Sequence, residues 1–174
     1  KRQQMIAAAN TFQAVAEEWM DKRQREGRAA TTQTKTQWLL DFAYPTIGNR
    51  PIAEISSAEV LETLRTVEKR GRYETARRLR STIGGVFRYA IATARAEYDP
   101  TVALRGALTA PIVTHRPAIT DPASFGALLR AMDGFEGQPT TRAALQLMAL
   151  LFPRPGELRA AQWAEFDLDA AVWT

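Results

Sequence analysis

The chain is 174 residues long, 45% hydrophobic and 24% charged, with 23 Lys and Arg against 19 Asp and Glu, a formal net charge of +4. That composition carries enough apolar surface for a packed interior and excludes collagen-like and low-complexity chains. The absence of cysteine excludes a disulfide scaffold, a thiolate zinc site and a cysteine nucleophile, and the lone His115 excludes an all-histidine metal site.

Residues 1–9 form a flank that is basic, then small, without the apolar core of a secretory signal. No apolar run reaches the ~18 residues of a membrane helix. The start at Lys1 and the stop at Thr174 inside a promising pattern suggest a piece of a longer chain. Phe12, Val15, Ala16, Trp19 and Met20 recur at helical spacing and predict a first helix from Asn10 or Thr11, ended by Gly27. A second begins near Thr31 or Thr32, with Lys35, Trp38, Leu39 and Phe42 on its inner or flanking face, and fails at Tyr44-Pro45 because a residue before proline is pushed out of the helical region. Ser56 and Glu59 have capping-box spacing and open a third helix that packs Val60, Leu61, Leu64 and Val67 inward.

The fourth helix, from about Tyr73 to Ala94, carries a buried stripe of Ala76, Leu79, Ile83, Val86, Phe87, Ala90 and Ala94, all within roughly 100° on the helix. Arg77, Arg80, Gly84 and Arg88 form a second stripe beside it. Each mid-helix glycine costs about 1 kcal/mol relative to alanine. Gly84-Gly85 therefore implies a close approach, either by a flat or bulky partner such as a DNA backbone or by a neighbouring helix. Prolines 100, 111, 117 and 122 then mark a linker, over 106–120, that carries His115-Arg116. Asp121 caps a helix with Pro122 at its first position, and another follows Pro139. It ends in Phe152-Pro153-Arg154-Pro155-Gly156-Glu157-Leu158, where Arg154 lies near helix N-terminal amides in an anion-binding arrangement. An interhelical turn with an Arg154–Glu157 ion pair explains the same spacing.

Charge is uneven. Residues 1–105 hold 18 Lys and Arg against 12 Asp and Glu, a balance of +6, whereas 106–174 hold 5 against 7, a balance of −2. Arg65, Lys69, Arg70, Arg72, Arg77, Arg78 and Arg80 crowd one short stretch with only Glu68 and Glu74 opposing them. This is the footprint of a surface that meets phosphates, and equally that of a solvated helix face.

The chain resembles the tyrosine recombinases, or phage integrases, in particular those of prophages and genomic islands. The resemblance runs through Thr11-Phe12-Gln13-Ala14-Val15-Ala16-Glu17-Glu18-Trp19, Glu74-Thr75-Ala76-Arg77-Arg78-Leu79-Arg80, Val86-Phe87-Arg88-Tyr89-Ala90, His115-Arg116-Pro117-Ala118 and, most specifically, Phe152-Pro153-Arg154-Pro155-Gly156-Glu157-Leu158-Arg159-Ala160-Ala161-Gln162-Trp163. It implies an all-α, four-helix SAM-like core-binding domain over 10–105, followed over 121–174 by the first helices of a truncated mixed α/β catalytic domain. Two such domains clamp duplex DNA, which would place Lys35, Arg72, Arg77, Arg78, Arg80 and Arg88 near phosphates or base edges and His115 and Arg116 on the linker crossing the backbone. Arg154 matches the first catalytic arginine of the family and Glu157 the acidic residue supporting it.

The resemblance further implies integration or excision of a mobile element through a 3′-phosphotyrosyl intermediate, without metal or other cofactor, by a cytoplasmic protein that is tetrameric on DNA. The family's downstream lysine, His-x-x-Arg helix, further His or Trp and nucleophilic tyrosine are missing from these residues. The fragment is therefore expected to be monomeric and inactive alone. Pro153 departs from the β-branched residue commoner before that arginine. Two other readings are a non-catalytic helical DNA-binding regulator, which leaves Arg154-Pro155-Gly156-Glu157 without a role, and a helical protein–protein adaptor, which makes the basic stripe mere solubilising surface.

Overall fold

The computed structural model describes residues 10–112, 114–115 and 117–174. They fall into two compact units that divide between Val113 and Thr114. The first unit is helical and built around α1 (Phe12–Arg25), α2 (Ala30–Leu40), α3 (Ser57–Glu68) and α4 (Tyr73–Ala92).

Local sequence explains most of these boundaries. The Thr11 hydroxyl accepts from the Ala14 amide at 3.3 Å and opens α1, while Gly27, at φ +79°, lets the chain leave it. Ser56 and Glu59 complete the expected capping box, with the Ser56 amide donating to Glu59 Oε2 at 2.9 Å and the Glu59 amide donating to Ser56 Oγ at 3.3 Å. Gly71, at φ +73°, separates α3 from α4.

Two boundaries differ from expectation. Helix α2 stops at Leu40, before the Tyr44-Pro45 step, and Tyr44–Gly48 forms a π-helical turn with Pro45 near its start. Proline has no amide hydrogen and its ring crowds the carbonyl four residues back, so a regular helix cannot run through it. The wide turn instead points Ile47 into the core. At the other end, α4 closes at Ala92, and Ala94 turns out at φ +56° and is exposed, so it does not belong to the buried stripe.

The core of this unit is formed by Phe12, Val15 and Ala16 of α1, Leu40 of α2, Val60, Leu64 and Val67 of α3, and Ala76, Leu79, Ile83, Val86, Phe87 and Ala90 of α4. Fully burying a side chain of the size of Phe87 or Leu64 contributes about 1.5–3 kcal/mol. Leu61 is only partly buried, whereas Thr63 is fully buried, its hydroxyl sharing a 2.8 Å hydrogen bond with Thr46. After α4 the chain folds back: Ser57 Oγ donates to the Pro100 carbonyl at 3.0 Å, and Thr101 and Leu104 are buried.

The second unit contains α5 (Pro122–Asp133), α6 (Pro139–Leu151), α7 (Pro155–Ala160) and a hairpin of β1 (Phe166–Asp167) with β2 (Val172–Trp173). Asp121 caps α5 by accepting from the Ser124 amide at 2.8 Å. The terminal strand pairs with β1 in the register Phe166 opposite Trp173, and those two rings stack at 5.0 Å. The Trp173 indole also donates to Glu165 at 3.0 Å. Among the described residues no helix is long and apolar enough to cross a membrane.

Candidate nucleic-acid interface

Helix α4 explains its own two faces. Its apolar stripe faces the core, which turns Arg77, Arg78, Ser81 and Arg88 toward solvent within about 100° of one another. Arg78 is held by Glu74 of the preceding turn at 2.8 Å, an exposed ion pair of little energetic weight. Lys35, Arg72 and Arg77 are exposed and make no ion pair with any described residue. Arg72 lies over the Phe42 ring at 5.9 Å.

The other half of the basic stripe is engaged by the chain itself. Arg80 is half-buried and its Nη1 donates to the Thr101 carbonyl at 3.3 Å. Arg88 donates through Nη1 to Asp99 Oδ2 at 3.2 Å, and the Asp99 side chain is only 7% exposed. The other Asp99 oxygen accepts from the Thr101 amide and hydroxyl at 2.9 and 2.7 Å. The two glycines fit this packing. A Cβ on Gly84 would lie 2.6 Å from Thr101 Oγ1, and one on Gly85 would lie 2.9 Å from the Trp19 ring. Both close approaches therefore come from the chain's own side chains.

A second cluster ties α1 to the end of α4. Glu18 accepts from Arg95 at 2.6 Å and from the Tyr89 hydroxyl at 2.5 Å, with Arg95 also 5.4 Å from the Tyr89 ring. The Arg95 hydrogen bond, then that of Tyr89, holds the Glu18 carboxyl below the usual range. The same bond to Glu18 raises the Tyr89 phenol. Tyr89 is thus a structural tether.

In the second unit Phe152 ends α6 in the left-handed region at φ +54°, and Pro153 leads to Arg154, which is extended and caps α7 ahead of Pro155. Glu157 grips Arg154 twice. One oxygen accepts from Arg154 Nη1 at 2.7 Å and the other from the Arg154 amide at 3.0 Å. These contacts lower the Glu157 carboxyl and raise the Arg154 guanidinium. The Arg154 side chain nevertheless stays 85% exposed, so the guanidinium is aimed and still accessible. Glu157 also borders a concavity shared with Leu151, Pro153, Glu165 and Trp173.

His115 is exposed, and Arg116 lies outside the described residues. No group of three or more His, Cys, Asp or Glu among the described residues is arranged to hold a metal ion. Two features escaped the sequence reading. Asp99 and Thr101 fall in the proline-marked stretch after α4, and their contacts with Arg88 and Arg80 anchor that helix. Trp19, which shares a helix face with Phe12, Val15 and Ala16, is only partly buried and carries Arg23 over its ring at 4.5 Å; the i, i+4 spacing of the pair is the available signal.

Known proteins share this architecture. The chain is 35% identical over 168 residues to the IntB protein of Escherichia coli (strain K12), covering 95% of this chain and 41% of that protein. It is 30% identical over 168 residues to the integrase of Enterobacteria phage P4, covering 96% and 38% respectively. It therefore spans about two fifths of the length of these curated relatives. Among solved structures it is similar to a lambda integrase tetramer bound to a Holliday junction, with a TM-score of 0.69, 19% identity, and coverage of 91% of this chain and 45% of that one. At that identity the likeness speaks to fold alone. The model of the phage integrase central domain matches residues 12–107, more than half of the sequence, and the chain belongs to the phage integrase family of tyrosine recombinases.

Proposed function

We propose that the whole protein is a site-specific recombinase of a mobile element and that residues 1–174 supply its core-binding domain, over 10–105, its linker, over 106–120, and the beginning of its catalytic domain. The observation that carries the DNA-binding part is the set Lys35, Arg72 and Arg77, solvent-exposed cations without acidic partners among the described residues. Such groups gain most from a phosphate, because binding releases condensed counterions. Arg78, Arg80, Arg88, His115 and Arg116 extend this surface. Arg80 and Arg88 do so while also holding Thr101 and Asp99.

In the same reading Arg154 clamps a non-bridging oxygen of the scissile phosphate and Glu157 orients it. A fixed guanidinium offsets charge that accumulates as a tyrosine oxygen attacks phosphorus and the 5′-oxygen leaves with a proton, conserving the phosphodiester as a 3′-phosphotyrosyl bond. The four tyrosines present all belong to the first unit, and Tyr89 is engaged by Glu18. The present chain is thus a DNA-binding piece that does not cleave.

The test is binding of a generic 30-base-pair duplex across a salt series, with Lys35, Arg72 and Arg77 changed together to Ala. About five phosphate contacts predict a log–log slope near −4.5, and losing three flattens it by about 2.7. Equal slopes for the two proteins would remove the α2 and α4 surface from the interface. The absence of salt-dependent binding would remove the DNA-binding reading altogether.

A further inference from the structure

Between the end of α1 and the exposed face of α4 lies a polar cleft of about 440 Å³ whose walls include Trp19, Arg23, Arg28, Ser81, Gly85 and Arg88. Three arginines, Arg23, Arg28 and Arg88, line it against one acid, Glu26. Arg23 lies over the Trp19 ring at 4.5 Å; partial burial, then the nearby charge of Arg28, lowers its guanidinium pKa. Glu26, the acid in the cleft, is engaged by Lys22 of the preceding turn.

Arg88 is aimed at the same space. Its Nη1 is fixed by Asp99 at 3.2 Å, and Asp99 is itself fixed by Thr101. Nη2 remains on the Gly85 side, 3.8 Å from where a Cβ on Gly85 would stand. That glycine has no Cβ, so the Trp19 ring lies directly against α4 and the cleft keeps its shape. Ser81 is exposed, and its hydroxyl has no partner among the described residues.

We propose that this cleft is a phosphate-binding site for the backbone of duplex DNA, with Arg23, Arg28 and Arg88 as its cations and the Ser81 hydroxyl as a further donor. The proposal rests on the DNA-binding reading above and adds α1 to the interface. It commits to a DNA strand because the cleft opens on the α4 face that carries Arg77. The ~16 Å of helix from Arg77 to Arg88 spans about five 3.4 Å steps along one strand. Asp99 acts here as a positioning residue, turning one end of the Arg88 guanidinium outward.

The experiment is duplex binding across a salt series by the 174-residue chain carrying Arg23→Gln with Arg28→Gln, and by Arg28→Gln alone, which leaves the stack on Trp19 intact. Alongside it, the Trp19 indole N–H resonance, assigned with Trp19→Phe, is followed as duplex is added. The expected result is a slope flatter by about one in the double variant, a smaller flattening in Arg28→Gln, and a duplex-dependent shift of the Trp19 signal in the unmodified chain.

Unchanged slopes and a static Trp19 signal, with binding still weakened by loss of Lys35, Arg72 and Arg77, would overturn the cleft and leave the α2 and α4 surface standing. Flattening by the arginine pair without any effect of the other three changes would support the cleft and overturn that surface. No salt-dependent binding by the unmodified chain would overturn both.

Discussion

Thr101 Oγ1 lies 2.6 Å from the point that a Cβ on Gly84 would occupy. The hydroxyl cannot simply rotate away, because it donates to Asp99 at 2.7 Å and Thr101 is 5% exposed. Gly84→Ala gains about 1 kcal/mol of helix propensity but must displace that contact, at an overpacking cost of about 1–3 kcal/mol. The expected outcome is a net loss of stability of about 1 kcal/mol in urea titration; a variant more stable than the parent would contradict the packing described for α4.

Asp99 is the hub of the same contact. Asp99→Ala strands the Thr101 amide and hydroxyl and frees Arg88, with an expected cost of about 1.5–3 kcal/mol for lost hydrogen bonds to a charged group. Faster proteolysis within 99–105 should accompany it. Parent-like resistance in that segment would mean that the chain is anchored there by Leu104 burial alone.

The capping box gives a local test. Ser56→Ala should cost about 1 kcal/mol with little change elsewhere in the fold. The Ser56 amide, with help from its hydroxyl, holds the Glu59 carboxyl below its usual range, so this box weakens when Glu59 is protonated. Calorimetry at neutral pH, compared with Glu59→Gln, should show both substitutions lowering Tm.

Glu18 sets the acid limb. Its carboxyl is depressed in the folded chain, so its contribution is fully present above the unfolded value of about 4.3 and is lost as pH falls through the lower, folded value. Tyr89 is raised, so its contribution holds below about pH 10 and disappears as pH climbs through the folded value. Glu18→Gln should therefore flatten the fall in stability below about pH 4.3, measured by denaturation at several pH values. An unchanged acid limb would show that the Arg95–Glu18–Tyr89 cluster is not formed in solution.

These residues also show where sequence stops informing. Ser56 and Asp121 were legible as caps because capping is settled within four residues. Phe12, Val15 and Ala16 were legible because one helix face carries its own periodicity. The Arg154–Glu157 contact was likewise local. The hold of Asp99 and Thr101 on α4 was not, since it joins a proline-marked turn to a helix face that is distant in sequence. The partner of Val172–Trp173 was also hidden, because a two-residue strand such as Phe166–Asp167 has no period to detect. Gly84-Gly85 announced a close neighbour without revealing that the neighbours were Thr101 and Trp19.

The tether between Glu18 and Arg95 joins positions 77 residues apart. At roughly 5–20 residues per second, a ribosome adds that length in about 4–15 s. For most of this interval α1 is already made but lacks both its anchor and the α4 surface, Tyr73–Ala92, that it packs against. The first unit must therefore mature late in its own synthesis, with its earliest helix waiting for its last, and Phe12, Val15 and Ala16 are the apolar groups a chaperone would meet meanwhile.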